Sequence, residues 1–161
     1  KYICDDGQNV LKYIKEESQD LLFSCPPYFD LEVYSELEND ASNQASYTEY
    51  LKILGKALGD STKALKQDRF AVIVISNVRK DGAYLDLVGD TIRIMEKNGL
   101  KLYNDIILAT PLGTAPFRAR RYMVSRKVAK VHQNVLVFFK GNMDKINEIY
   151  PEIKYATEYK S

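Results

Sequence analysis

The stretch Asp20-Leu21-Leu22-Phe23-Ser24-Cys25-Pro26-Pro27-Tyr28 runs from a short apolar segment straight into a double proline. A brief Leu- and Phe-rich run closed by breaker residues is the pattern of a buried strand in an α/β sheet. The two prolines fix their own φ angles, remove two backbone donors, and hold Cys25 and Pro26 extended because each precedes a proline. The strand therefore ends in a stiff loop that presents carbonyl oxygens.

Outward from this point, residues 2–4, 69–76, 102–109 and 134–139 have the same strand character. Helical spacing separates them. Val10, Leu11 and Ile14 mark a helix over 8–16. Tyr50, Leu51, Leu54, Leu58 and Leu65 mark one over 47–65, with Ser46 and Glu49 placed as a capping box. Leu87, Val88, Ile92 and Met95 mark a third over 84–97, which Gly99 should end. The alternation of strand and helix predicts an α/β fold, a doubly wound and mostly parallel sheet with helices on both faces. The last two strands, joined over 110–133 without a clear helix, should form an antiparallel pair at the sheet edge. Long loops at 25–45 and 110–133 point to function.

The chain of 161 residues fits one domain, and its start at Lys1 rather than methionine suggests a piece of a longer parent. A content of 45% hydrophobic and 28% charged residues is that of a folded globular protein. No apolar run approaches the roughly 20 residues that span a bilayer, and no signal-peptide pattern opens the chain, so it reads as cytoplasmic, without a membrane partner. Cys4, Cys25 and the single histidine, His132, have no metal-ligand spacing, which argues against a metal site. Net charge is only +1. Its distribution is uneven: Arg118, Arg120, Arg121, Arg126, Lys127 and Lys130 fall in a stretch without any acid. Such a run is either a solvated surface or a set of phosphate contacts.

Ligands of open α/β sheets bind beyond the carboxyl ends of the strands. The carbonyls of the Pro26-Pro27 loop would there accept hydrogen bonds from an amino group, and the Tyr28 ring offers a stacking face for a planar base. The loop resembles that of the amino-group-specific (N6-adenine or N4-cytosine) DNA methyltransferases, in which Asp, Asn or Ser precedes Pro-Pro and an aromatic residue. The resemblance extends over Asp5-Asp6, the Val10 to Glu16 helix and Asp20. It continues through the run from Phe29 to Ser35 and the late run His132 to Gly141, which look like a phage and prophage branch of that family. It implies a Rossmann-like methyltransferase that uses S-adenosylmethionine to methylate the exocyclic amine of adenine or cytosine in DNA, as in restriction-modification.

Carried over residue by residue, the resemblance makes Cys25, Pro26, Pro27 and Tyr28 catalytic and Asp6 and Ser24 cofactor-binding; the acid-free charge of Arg118 to Lys130 and its place in a long loop near the substrate end of the sheet point separately to contact with DNA. Asp6 is equally suited to cap a helix. Asp30 and Glu32, just past the motif, are either further contacts or solvated charges. Two departures stand out. Cys25 replaces the usual oxygen-bearing residue with a thiol, a weaker acceptor. The family's glycine loop for the cofactor's methionine part, resembling Phe-x-Gly-x-Gly, does not occur, and is expected before Lys1 in a longer parent. The alternatives are an inactive methyltransferase-like module that binds DNA, and a methyltransferase acting on RNA or protein glutamine.

Overall fold

The computed structural model describes residues 2–29, 35–37, 40–110, 113 and 115–152. Four strands form the main sheet: β1 (Gln19–Ser24), β2 (Leu65–Ile75), β5 (Lys101–Ala109) and β6 (His132–Lys140). Their order across the sheet is β1-β2-β6-β5. β1 and β2 are parallel, whereas β6 runs antiparallel to both β2 and β5. Three strands thus share one direction and the reversed strand lies inside the sheet. The expected antiparallel edge pair is present as β6 and β5. The sheet as a whole is mixed, because only one of its three ladders is parallel.

Two long helices cover one face. In α2 (Tyr47–Ala64), the Ser46 hydroxyl accepts from the Glu49 amide at 3.2 Å, and Tyr50, Leu54 and Leu58 recur on the buried stripe. α3 (Leu87–Lys97) is capped by Asp86 and ends at Gly99, whose φ of +84° is a conformation that glycine adopts without strain. Both pack on Ala71, Ile73 and Ile75 of β2 and Leu136 and Phe138 of β6, the apolar core. Helices on both faces are not what the described residues show. On the second face Phe70, Tyr103, Phe139 and Tyr150 cluster at one end, while Leu21 and Phe23 of β1 stay exposed at 57% and 64%.

Three expectations need correction. Residues 2–4 form no strand, since no described strand lies beside them and an isolated extended segment has no ladder to join. The first helix is shorter than read: a 3₁₀ turn over Gly7–Asn9 leads into α1 (Val10–Tyr13). The stretch after β5 is no structureless loop, for α4 (Ala115–Val124) occupies it, with Pro116 in the first turn where its missing N–H costs nothing. The last element among the described residues is α5 (Ile146–Ile149).

A feature absent from the sequence reading lies between β2 and α3. Here β3 (Val78–Lys80) and β4 (Ala83–Leu85) form a hairpin around Asp81 and Gly82, which have φ of +48° and +85°. Tyr84, read as the start of a helix, belongs to this hairpin. Asp-Gly flanked by short β-favouring runs was the available signal, because a tight hairpin turn demands positive φ at both central positions.

Candidate active site

Strand direction decides which features meet. Ser24 pairs with Ile73, Ile75 with Asn134, and His132 with Ala109, so the ends of β1, β2 and β5 and the start of β6 lie at one end of the sheet. The Cys25–Tyr28 loop, the hairpin and the α4 segment all leave from that end. His132 opens β6 there.

The loop is locked from below. Pro26 is buried, and the Tyr50 hydroxyl on the first turns of α2 donates to the Pro27 carbonyl at 2.6 Å. Burial holds the Tyr50 hydroxyl well above the usual phenol range, so it remains a neutral donor. The next residue, Phe29, has φ of +56° yet is only 4% exposed, with its ring 5.5 Å from those of both Tyr47 and Tyr50. A bulky side chain in the left-handed region costs about 1–2 kcal/mol. Burying the phenyl group contributes about 1.5–3 kcal/mol and offsets it. Tyr47 is fixed in turn by donating to Asp90 on α3 at 2.7 Å. Sequence periodicity placed Tyr50 in the core stripe, but nothing in it showed that the hydroxyl would tether the loop.

The consequence is an asymmetry between the two proline carbonyls. That of Pro27 is occupied by Tyr50, whereas that of Pro26 has no hydrogen-bond partner among the described residues. Cys25 is exposed, its Sγ 4.0 Å from the Tyr28 hydroxyl, and Tyr28 is half-buried against the core. Ser24, the last residue of β1, is partly buried at the loop's root. Ser24 to Tyr28 therefore sit together as one rigid unit. Asp30 and Glu32 lie outside the described residues.

Asp6 stands apart from them. Its carboxylate accepts from the Gln8 amide at 2.9 Å and the Gln8 side chain at 3.2 Å, capping the first turn. That turn rests on α2 near Ala57, since a Cβ at Gly7 would lie 3.7 Å from Ala57 Cβ. Ala57 is two helical turns below Tyr50, roughly 10 Å along the axis. Neighbouring Asp5 accepts from the Tyr13 hydroxyl, the main cause of its lowered pKa. The described glycines include no Gly-x-Gly pair after a strand: Gly55, Gly59 and Gly89 are helical, Gly82 is a hairpin tip, Gly99 ends α3, Gly141 follows β6 at the opposite end, and Gly113 stands alone after β5.

The basic residues are gathered on α4 and the turn after it. Arg120, Arg121 and Arg126 are exposed, while Arg118, Lys127 and Lys130 are partly buried. Among the described residues none of the six forms a salt bridge; Arg126 donates to the Val124 carbonyl at 2.9 Å. No group of His, Cys, Asp and Glu suited to a metal ion occurs among the described residues, and no helix there is long and apolar enough to cross a membrane.

No family model matches the chain, and no curated protein matches it in sequence. Solved structures do. A Thermus thermophilus protein that carries the name DNA modification methylase superposes over 92% of this chain and 53% of its own, with a TM-score of 0.62 and 19% identity. The same protein complexed with S-adenosyl-L-methionine gives 0.61 and 20%, over 92% and 56%. PvuII DNA methyltransferase, which is cytosine-N4-specific, gives 0.59 and 18%, over 96% and 57%. The chain thus shares the mixed α/β fold of these structures. This chain spans little more than half the length of those structures.

Proposed function

We propose that this chain is the acceptor-side portion of an S-adenosylmethionine-dependent methyltransferase that modifies the exocyclic amino group of adenine or cytosine in DNA. The observation that carries the reading is the Pro26-Pro27-Tyr28 loop at the end of β1, tethered through Pro27 by Tyr50 while the Pro26 carbonyl has no hydrogen-bond partner among the described residues. Residues 1–161 would belong to a single methyltransferase domain, and the doubly wound form of its sheet would be completed by the rest of the parent.

An exocyclic amine is a poor nucleophile because its lone pair is delocalised into the ring. Donation of one amino proton to the Pro26 carbonyl and the other toward position 25 localises that pair on nitrogen and points it away from the loop. A fixed loop does this without reorganising. Tyr28 stacks on the base once it has left the duplex. Cys25 acts here as a weak acceptor and not as a nucleophile, since direct transfer to nitrogen needs no covalent enzyme intermediate. S-adenosylmethionine supplies the methyl group. Ser24 and Asp6 would line its site in part, and the glycine cradle for its methionine part would come from outside residues 1–161.

The six basic residues of α4 and its following turn would hold phosphates, which positions a duplex without reading its sequence. Incubation of the protein and the rest of its parent with labelled cofactor and DNA, RNA or protein, followed by nucleoside and amino-acid analysis, tests the reading. N6-methyladenine or N4-methylcytosine is the expected product. Label in glutamine or RNA alone would assign the other acceptors, and no transfer with intact DNA binding would leave a binding module whose Cys25 marks lost catalysis.

A further inference from the structure

The β3–β4 hairpin has a built face that the reading above does not use. The guanidinium carbon of Arg79 lies 5.0 Å above the centre of the Tyr84 ring, and both residues are exposed, Tyr84 at 54%. Arg79 also donates to the Gly82 carbonyl at 3.4 Å, which turns the guanidinium across the hairpin. The pair is cross-strand, Arg79 opposite Tyr84. An isolated two-stranded hairpin is marginal in water, so its rigidity must come from its root. Val78 is buried, Leu85 packs on the core, and the Asn77 side chain accepts from the Val88 amide at 2.7 Å, fastening the hairpin to α3.

Position gives this face its meaning. The hairpin follows β2, which neighbours β1 in the sheet, so it rises beside the Pro-Pro-Tyr loop. Two strands further on, β5 leads into the basic helix α4. At about 4.8 Å per strand the root of the loop and that of the α4 segment are roughly 14 Å apart, comparable to the width of a DNA major groove, about 12 Å. The hairpin stands between them. A cation laid on an aromatic ring is a flat, positively charged surface that suits one unpaired nucleotide: a base stacks on the ring, and the guanidinium edge takes its phosphate.

We propose that the Arg79–Tyr84 face of the hairpin binds the nucleotide flanking the methylated base, Tyr84 stacking on its base and Arg79 holding its phosphate. This rests on the reading of the chain as a nucleic-acid methyltransferase. It adds a second stacking station, separate from Tyr28, that grips unpaired DNA on one side of the target.

Fluorescence anisotropy with the 161-residue chain tests it, using a labelled single-stranded oligonucleotide of mixed sequence and the same sequence as a fully paired duplex. Tyr84→Ala should weaken single-strand binding about tenfold. Duplex binding should change less than about twofold, because a paired base offers no face to the ring. Tyr84→Phe and Tyr84→Trp keep a stacking surface and should bind single strands within about twofold of wild type. Arg79→Ala should weaken single-strand binding and lower its salt slope by about 0.7. Far-UV circular dichroism identifies any variant whose hairpin has melted, and Tyr84→Phe keeps the test open in that case. Equal losses on single strand and duplex, or a Tyr84→Phe loss as large as that of Tyr84→Ala, would overturn the stacking role. Normal single-strand binding by Tyr84→Ala would overturn the site itself while leaving the methyltransferase reading intact. Failure of the wild-type chain to bind either DNA would remove both.

Discussion

The Pro-Pro-Tyr loop and the α4 segment leave the same end of one sheet and are built in opposite ways. The loop is fastened at several points: Pro26 buried, the Pro27 carbonyl tied to Tyr50, Phe29 packed against the stacked rings of Tyr47 and Tyr50. Helix α4 itself has no buried residue, and Arg120, Arg121 and Phe117 are exposed to solvent. Chemistry on a delocalised amine needs acceptors held to a fraction of an ångström, and that requires a packed support. Attraction to a phosphate chain needs charge density but little geometry, and a lightly packed helix supplies it at small cost.

If this division of labour holds, damage to the two regions should separate cleanly. The largest expected effect is on DNA binding. Replacing Arg120, Arg121 and Arg126 with Ala should flatten the salt dependence of duplex affinity by up to about 2.7, roughly 0.9 for each lost phosphate contact, and weaken all sequences alike. Titrations at several salt concentrations measure it. A loss confined to one target sequence would mean that α4 reads bases.

Tyr50→Phe should do the reverse, lowering the single-turnover rate about tenfold with DNA affinity unchanged. It removes the donor to the Pro27 carbonyl, and such a deletion also costs about 1–3 kcal/mol of stability where the acceptor is left unpaired. A normal rate in a correctly folded Tyr50→Phe protein would show that the tether is dispensable. Calorimetry should find S-adenosylmethionine binding to residues 1–161 alone weak or undetectable, since no described glycine loop cradles the cofactor. Tight binding would show that a complete site is present.

Two smaller effects concern α2, the support beneath the loop. Ser46→Ala removes the cap on Glu49 and should cost about 1 kcal/mol in urea unfolding. Asp60, near the other end of the helix, has its carboxyl held below the usual range by hydrogen bonds from Lys56 and Lys63. A lowered folded pKa contributes stability above the unfolded value of about 3.9, and loses it as pH falls through the folded value. The Tm deficit of Asp60→Asn at neutral pH should therefore shrink below about pH 4.

What could be read from sequence follows from how local each signal is. Ser46, Glu49 and the Leu54 and Leu58 stripe define α2 within its own residues, and Gly99 marks the end of α3. The double proline marks the loop because proline stiffens the chain wherever it stands. The second acceptor problem was equally local, since Cys25 is a thiol in any fold. The Tyr50 tether was not legible, because it joins positions 23 residues apart and depends on how α2 seats under the loop. The inward place of β6 is likewise a property of pairing partners, which alternation of strands and helices does not order. Residues 2–4 carry an apolar strand pattern and still form no strand, because a ladder needs a neighbour. The hairpin was written plainly in Asp81-Gly82, but its second strand, Ala83–Leu85, overlaps a window that also fits a helix beginning at Tyr84.

Cys25 and Tyr28 bring the catalytic claim to one measurement. Single-turnover methyl transfer to DNA should be followed for wild type, Cys25→Ser and Tyr28→Ala in the longer protein proposed above, so that product release does not mask the chemistry. Cys25→Ser supplies a better acceptor of similar size and should transfer at least as fast as wild type. Tyr28→Ala removes the stacking face, worth about 1–3 kcal/mol, and should slow transfer about tenfold or more. An active wild-type enzyme whose rate is unchanged by Tyr28→Ala would contradict the assignment of the Pro-Pro-Tyr loop as the site of methylation.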